Sequence, residues 1–214
     1  FSDQQTRVVI GQSGGGKLKH DLDAQASIYW RPLFSQWRFG ISANDASFSY
    51  SPAEVDNFFD ADFIFQFYTL NAIFEGQYWQ FSAELVQERL ATEGFYVPGF
   101  NRDEIGQGYY LQTSYQLTKD LSVMLRNERF YANKDDKNGS KLAASSGGLI
   151  PSYFGFHNDT MIGLSYDFSS NLRLNAEYHW MEGGARLSPI VQPDPIANAS
   201  KDWQVWAIQL MYWF

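Results

Sequence analysis

Three patterns in this sequence bring together residue types that do chemistry in other proteins. Residues 11–17, Gly-Gln-Ser-Gly-Gly-Gly-Lys, satisfy the spacing of a phosphate-cradling loop. Leu18 stands where a Ser or Thr would hold magnesium, and no amphipathic helix follows, so the stretch reads as a flexible surface loop. Asp135, Asp136, Asn138 and Gly139 resemble the start of a calcium loop but lack its spacing and terminal Glu. The three histidines, His20, His157 and His179, are scattered without metal-ligand spacing. His157-Asn158-Asp159 would suit an outer-membrane hydrolase only with a nucleophile beside it, and none is visible. With no cysteine there is neither a thiolate metal site nor a disulfide framework. The expectation is a protein without catalytic residues, metal or cofactor, and not an enzyme.

A different set of charged residues recurs at every second position: Arg31, Arg38, Glu84, Arg126, Glu128, Asp167, Arg173, Glu177 and His179. Each alternates with apolar neighbours, and in a strand successive side chains point to opposite faces. The set therefore shares one face of a sheet, mixed in sign. Such a face is either a salt-bridge network filling a narrow barrel or the lining of an aqueous channel.

The elements that carry these charges are strands. Leu172, Leu174, Ala176, Tyr178 and Trp180 oppose Arg173, Asn175, Glu177 and His179. Ile162, Leu164, Tyr166 and Phe168 oppose Met161, Gly163, Ser165 and Asp167. The same alternation runs through Trp79 to Leu85, Tyr109 to Leu117, Trp37 to Asn44 and Ala24 to Arg31. It weakens over 121–131, where Asn127 and Arg129 fall on the apolar side, and over 63–75, which is apolar on both sides in its first half. With a weak first strand at 7–11 and a last at 203–214, about ten strands of membrane-spanning length are expected.

The connections alternate between short turns (32–36, 76–77, 118–120, 169–171) and long polar segments (12–21, 51–60, 91–107, 133–153, 183–201). That alternation is what an outer-membrane barrel with tight periplasmic turns and large extracellular loops requires. Trp30, Trp37, Tyr78, Trp79, Tyr115, Tyr166 and Phe168 sit near the short turns, and Tyr50, Tyr131, Trp180 and Trp203 near the long ones. Two interfacial belts of this kind account for an aromatic content of 18%.

No apolar run of about 18 residues exists, so a membrane span must be built from strands. No charged-then-apolar leader is visible at the start, so any signal peptide is expected to be already removed. A net charge of -8 argues against nucleic acid as a partner. The 214 residues fit one domain, an all-β, transmembrane, antiparallel up-and-down barrel spanning 1–214.

The last strand places Trp206, Ile208, Leu210, Tyr212 and Phe214 at alternate positions back from a terminal Phe. This resembles the assembly signal by which outer-membrane proteins engage the barrel-insertion machinery through β-augmentation.

Trp79 to Glu84, Tyr109 to Thr118, Leu125 to Phe130 and Leu174 to His179 resemble strands of the Gram-negative porin superfamily, near the phosphate-selective porins. The resemblance covers 57–214 and implies passive diffusion of small hydrophilic solutes, with Glu84, Arg126, Glu128 and Glu177 at inward-charged positions. Those porins are longer, so the chain reads as a shortened relative or a C-terminal portion of one. Their lysine ladder is absent, so phosphate selectivity does not carry over.

The functional expectation is an outer-membrane, porin-like channel for solutes or ions. The alternative is a closed barrel without transport, a structural or adhesive anchor displaying 133–153 and 183–201. Expected partners are the lipid bilayer and lipopolysaccharide, the assembly machinery, small solutes, and a homo-oligomer or an additional barrel-completing chain. If the strands close on themselves, Arg126, Glu128, Arg173 and Glu177 should meet in ion pairs across the interior.

Overall fold

A computed structural model of the chain describes residues 16–54, 56, 58–95, 98–99, 101–186 and 200–214. Period-two alternation becomes strand throughout. In chain order these are β1 (Lys17–Trp30), β2 (Trp37–Ser51), β3 (Ala61–Glu75), β4 (Trp79–Gly94), β5 (Asn101–Gln116), β6 (Leu121–Tyr131), β7 (Phe156–Ser169), β8 (Leu172–Gly183) and β9 (Asp202–Tyr212). The long connection before β7 carries a short helix, α1 (Ser140–Ser145), and a 3-10 turn (Ser152–Gly155). The strand expected at 7–11 lies outside the described residues.

All nine strands form one antiparallel sheet in strict sequence order, β1 to β9. Short turns join β1 to β2, β3 to β4, β5 to β6 and β7 to β8 at one end, and the longer connections gather at the other. β1 and β9 are the sheet edges, with no ladder between them among the described residues. Because the strands alternate in direction and nine is odd, β1 and β9 run the same way, from the long-connection end to the short-turn end.

The sheet has an inside and an outside. Trp79, Phe81, Leu85, Leu111, Leu125, Ile162, Leu164, Ile208 and Leu210 are exposed large apolar residues, all on one face. A water-facing sheet does not leave such a face uncovered, whereas a bilayer covers it. The register gives 61–75 one apolar outward row, Tyr68, Leu70, Ala72 and Phe74, leaving Phe63 and Phe65 inside.

Two sequence expectations change. The segments 91–107 and 12–21 were expected as loops, but β4 runs on to Gly94, β5 starts at Asn101 and β1 starts at Lys17. Above the apolar band both faces of these hairpins are polar, so strand continues with no hydrophobic alternation to reveal it. On the outer face Arg89 donates to both oxygens of Asp103 (2.8 and 2.7 Å) and to Gln66 (3.3 Å), and Gln66 donates to Asp45 (2.9 Å). Lys17 and Leu18 are strand residues, and Leu18 packs in a buried cluster with Tyr50, Ala61, Phe63 and Phe95, so no phosphate loop opens a helix there.

Tyr50 and Trp203 do not belong to the upper aromatic belt. Both fall on the inward parity: Tyr50 is 1% exposed, and the Trp203 indole N–H donates to the Gly183 carbonyl at 2.9 Å. Trp180 and the belt near the short turns, Trp30, Trp37, Tyr78, Trp79, Tyr166 and Phe168, are exposed as expected.

Candidate functional site

The inward face carries the chemistry of this molecule. Register places Asn71, Glu84, Tyr110, Glu128, Asp159 and Met181 in one cross-strand row, and Arg38, Ile73, Ser82, Gln112, Arg126, Met161 and His179 in the next. A side chain in such a row meets the adjacent strand about 5 Å away, so the face works as a continuous polar wall.

Most of the charges on this wall pair locally. Arg126 donates to Glu128 two residues along β6, at 2.5 Å. Arg173 donates to Asp167 on the neighbouring strand through two bonds, at 2.5 and 2.9 Å, a bidentate arrangement. The His179 Nδ1 lies 2.8 Å from Asp159 and its Nε2 3.3 Å from Glu177, so the imidazole is held between two carboxylates. Arg31, just past β1, donates to Glu75 at 2.6 Å near the short-turn end. Arg126, Glu128, Arg173 and Glu177 thus find partners on their own or adjacent strands, and the expected meeting of these four across the interior does not occur. Its condition, closure of these strands on themselves, is not met among the described residues either.

One contact spans a larger gap. Arg186, three residues past β8, reaches back to Glu128 (3.2 Å) on β6 and Glu88 (3.9 Å) on β4, and its guanidinium lies 4.1 Å from the Phe130 ring centroid. In a flat sheet β8 and β4 would stand about 19 Å apart. The sheet therefore curls, and the start of the 184–201 connection is drawn over its concave side. Gly183 makes this turn possible: its φ of +93 suits glycine, and a Cβ there would strike the Phe156 carbonyl.

Arg38 and Glu84 are different. Neither makes a hydrogen bond or ion pair among the described residues, and Arg38 only faces the Tyr29 ring, at 5.8 Å. Both line a recess of 420 Å³ on the inward wall with Tyr29, Asn71, Ile73 and Tyr110. A larger depression of 610 Å³ lies mainly over outward-facing residues, including Ile41, Leu70, Leu85 and Tyr109, and belongs to the lipid side. Among the described residues no group of three or more His, Cys, Asp or Glu is arranged to hold a metal ion.

No family model matches the sequence, and no curated protein matches it. Solved structures do. The outer membrane channel DcaP of Acinetobacter baumannii superposes with a TM-score of 0.59 at 13% identity, over 92% of this chain and 52% of that one. The fold is that of an outer-membrane β-barrel. The Pseudomonas putida toluene transporter TodX gives a TM-score of 0.49 at 12% identity, over 94% of this chain and 62% of that one. The chain thus spans about half the length of DcaP. Neither likeness bears on phosphate selectivity.

All nine charged residues singled out from sequence fall on the inward side. Sequence reasoning missed Glu88, Asp159 and Arg186. Asp159 continues the parity of Met161, Gly163 and Asp167 two residues beyond the recognised start of the strand, so its signal was available. Glu88 lies beyond Leu85, where the outward face turns polar with Gln87 and Arg89 and the alternation fades. Arg186 sits in a connection, and nothing in its local sequence marks it.

Proposed function

We propose that this chain forms the wall of a porin-like channel in the outer membrane of a Gram-negative bacterium. It lets small hydrophilic solutes or ions diffuse passively and catalyses no reaction. One observation carries this reading: the wall is charged on the inside and apolar on the outside, and most of its inner charges pair along or between adjacent strands. A barrel plugged by its own side chains would pair charges from opposite walls. Pairing along and between adjacent strands leaves the centre to water.

The strand count supports a lumen wider than nine strands would enclose. Unpaired strand edges are not sustained in lipid, because their backbone groups would have no partners. A direct β1–β9 ladder would be parallel, so antiparallel closure takes an odd number of further strands. Joined through β1 and β9, a second copy inserted in the same orientation would meet edge to edge in parallel. Barrels of about sixteen strands hold an aqueous channel.

The bilayer is the proposed partner of the apolar band, and lipopolysaccharide that of the polar outer face around Arg89 and Asp103. The barrel-insertion machinery is the proposed partner of the strand ending Trp206, Ile208, Leu210, Tyr212 and Phe214. Liposome swelling tests the diffusion reading. Vesicles carrying the folded protein should swell in small neutral sugars and stay unswollen in large dextrans, and equal impermeability to both would defeat it.

A further inference from the structure

The recess holding Arg38 and Glu84 is built differently from the rest of the wall. Among the described residues, every other guanidinium on the inward face sits against a carboxylate; here one of each sign stands in the same cavity without an ion pair. Arg38 is on β2 and Glu84 on β4, with β3 between them. Two strand spacings put their backbones about 10 Å apart laterally, and the register offsets them by roughly 7 Å along the strands. The two guanidiniums that act electrostatically on Glu84, Arg126 and Arg186, are both bonded to Glu128, at 2.5 and 3.2 Å. Two polar atoms of the recess, Arg38 Nε and Asn71 Oδ1, are buried without a hydrogen-bond partner. Buried polar atoms are satisfied in the great majority of cases, so a site that leaves two open is one that a bound molecule or water completes.

The floor shows how the recess is kept open. Gly40 lies directly opposite both Tyr29 and Asn71 in the ladders. A Cβ on Gly40 would sit 2.6 Å from Asn71 Oδ1 and 2.6 Å from the Tyr29 ring, so any larger residue would displace both walls. Tyr29, Tyr110 and Ile73 supply apolar surface between the charged ends.

We propose that this recess is a binding site for a small zwitterion with an apolar body, of the neutral α-amino acid type. The ligand carboxylate meets the Arg38 guanidinium, its ammonium meets Glu84 and the Asn71 carbonyl oxygen, and its side chain lies against Tyr29, Tyr110 and Ile73. A cavity of 420 Å³ falls within the ordinary range for small-molecule sites. A solute of one charge would leave either Arg38 or Glu84 without a direct ion pair, so the two together select for both charges on one molecule. The inference deepens the channel reading by giving it a solute class, and it rests on that reading only for the route of access.

Calorimetric titration of the full chain, folded in detergent micelles, tests it with three probes of one carbon skeleton. These are L-leucine, 4-methylpentanoate (no ammonium) and 3-methylbutylamine (no carboxylate). Leucine should bind about tenfold or more tighter than either single-charge analogue, the size expected from one charge-assisted hydrogen bond. Arg38→Gln should bring leucine down to the affinity of the amine, and Glu84→Gln down to that of the carboxylate. The double variant Arg38→Glu, Glu84→Arg should recover part of the leucine preference. Equal affinity for all three probes, or leucine binding unchanged in both single variants, overturns the site. Single-channel recording on the same preparation keeps the two ideas apart. Current without leucine preference removes the site and leaves the channel, and leucine preference without current removes the channel and leaves the site.

Discussion

Trp30 and Gln204 lie on one unbroken cross-strand row, although Trp30 closes β1 at the short-turn end and Gln204 stands near the opposite end of β9. The row runs Trp30, Phe39, Ala72, Ala83, Leu111, Asn127, Thr160, Trp180, Gln204. If the short turns share one membrane level, the sheet slips by about eight residues over eight strand steps. That slip corresponds to a strand tilt of about 35°, within the range for outer-membrane barrels. The same slip explains why Asn127 and Arg129 interrupt the outward apolar pattern on β6. They share rows with lipid-facing residues of β4 and β5 but sit higher in the membrane frame, and the Asn127 amide donates to Thr160 Oγ at 3.0 Å. Nitroxide labels should report it. A label at residue 125 should respond to oxygen and one at 129 to a water-soluble relaxer, and the reverse order would refute the tilt.

Ile208 faces outward near the middle of the apolar band of β9 and is 72% exposed. Ile208→Arg should cost about 2–4 kcal/mol in reversible unfolding from lipid vesicles, because the charge enters hydrocarbon near the bilayer midplane. Asn175, on the inward face and bonded to Gln209 at 3.1 Å, should accept Arg at small cost. Equal penalties at the two positions would mean the faces are exchanged.

In the connection before β7, Asp136 is buried at the start of α1. Burial alone would raise its carboxyl, but the backbone N–H groups of Leu142 and Lys141 and the Ser140 hydroxyl outweigh it and hold the pKa below the usual carboxylate range. A carboxyl with a depressed folded-state pKa stabilises the fold in full above its unfolded value. That stabilisation is lost as pH falls through the folded one. Protease nicking within 133–153 should therefore rise as pH drops below about 4. Asp136→Asn should nick faster at neutral pH and lose this pH response; an unchanged response would show that Asp136 does not hold the loop.

Arg186 holds the start of the connection after β8, residues 184–186, to Glu88 and Glu128 over the concave face. Arg186→Ala should release residues 184–186 from the wall, raising unitary conductance while adding to the net negative charge of the lining. Conductance unchanged from the parent would place the connection outside the ion path.

Much of the fold was legible because lipid enforces alternation on one face and water on the other, as in Leu172 to Trp180. The legible part ended where that pressure ended. Above the band, Arg89 and Asp103 pair on the outer face of a hairpin whose two sides are both polar, so 91–107 reads as loop although most of it is strand. The inward parity of Arg38 and Glu84 could be read from sequence, but not that they share a recess, since that depends on the register across β3. The fixing of Arg186 to β4 and β6 was out of reach, because it arises from the curl of the whole sheet.

The proposed passage is water-filled with a mildly acidic wall, where Glu75, Glu84, Glu88, Glu128, Asp159, Asp167 and Glu177 outnumber Arg31, Arg38, Arg126, Arg173 and Arg186. Single-channel recording in a planar bilayer, with a salt gradient, tests it most directly. Discrete ohmic steps are expected, with a reversal potential showing a weak preference for cations. A silent membrane, or steps with a strong anion preference, would contradict it.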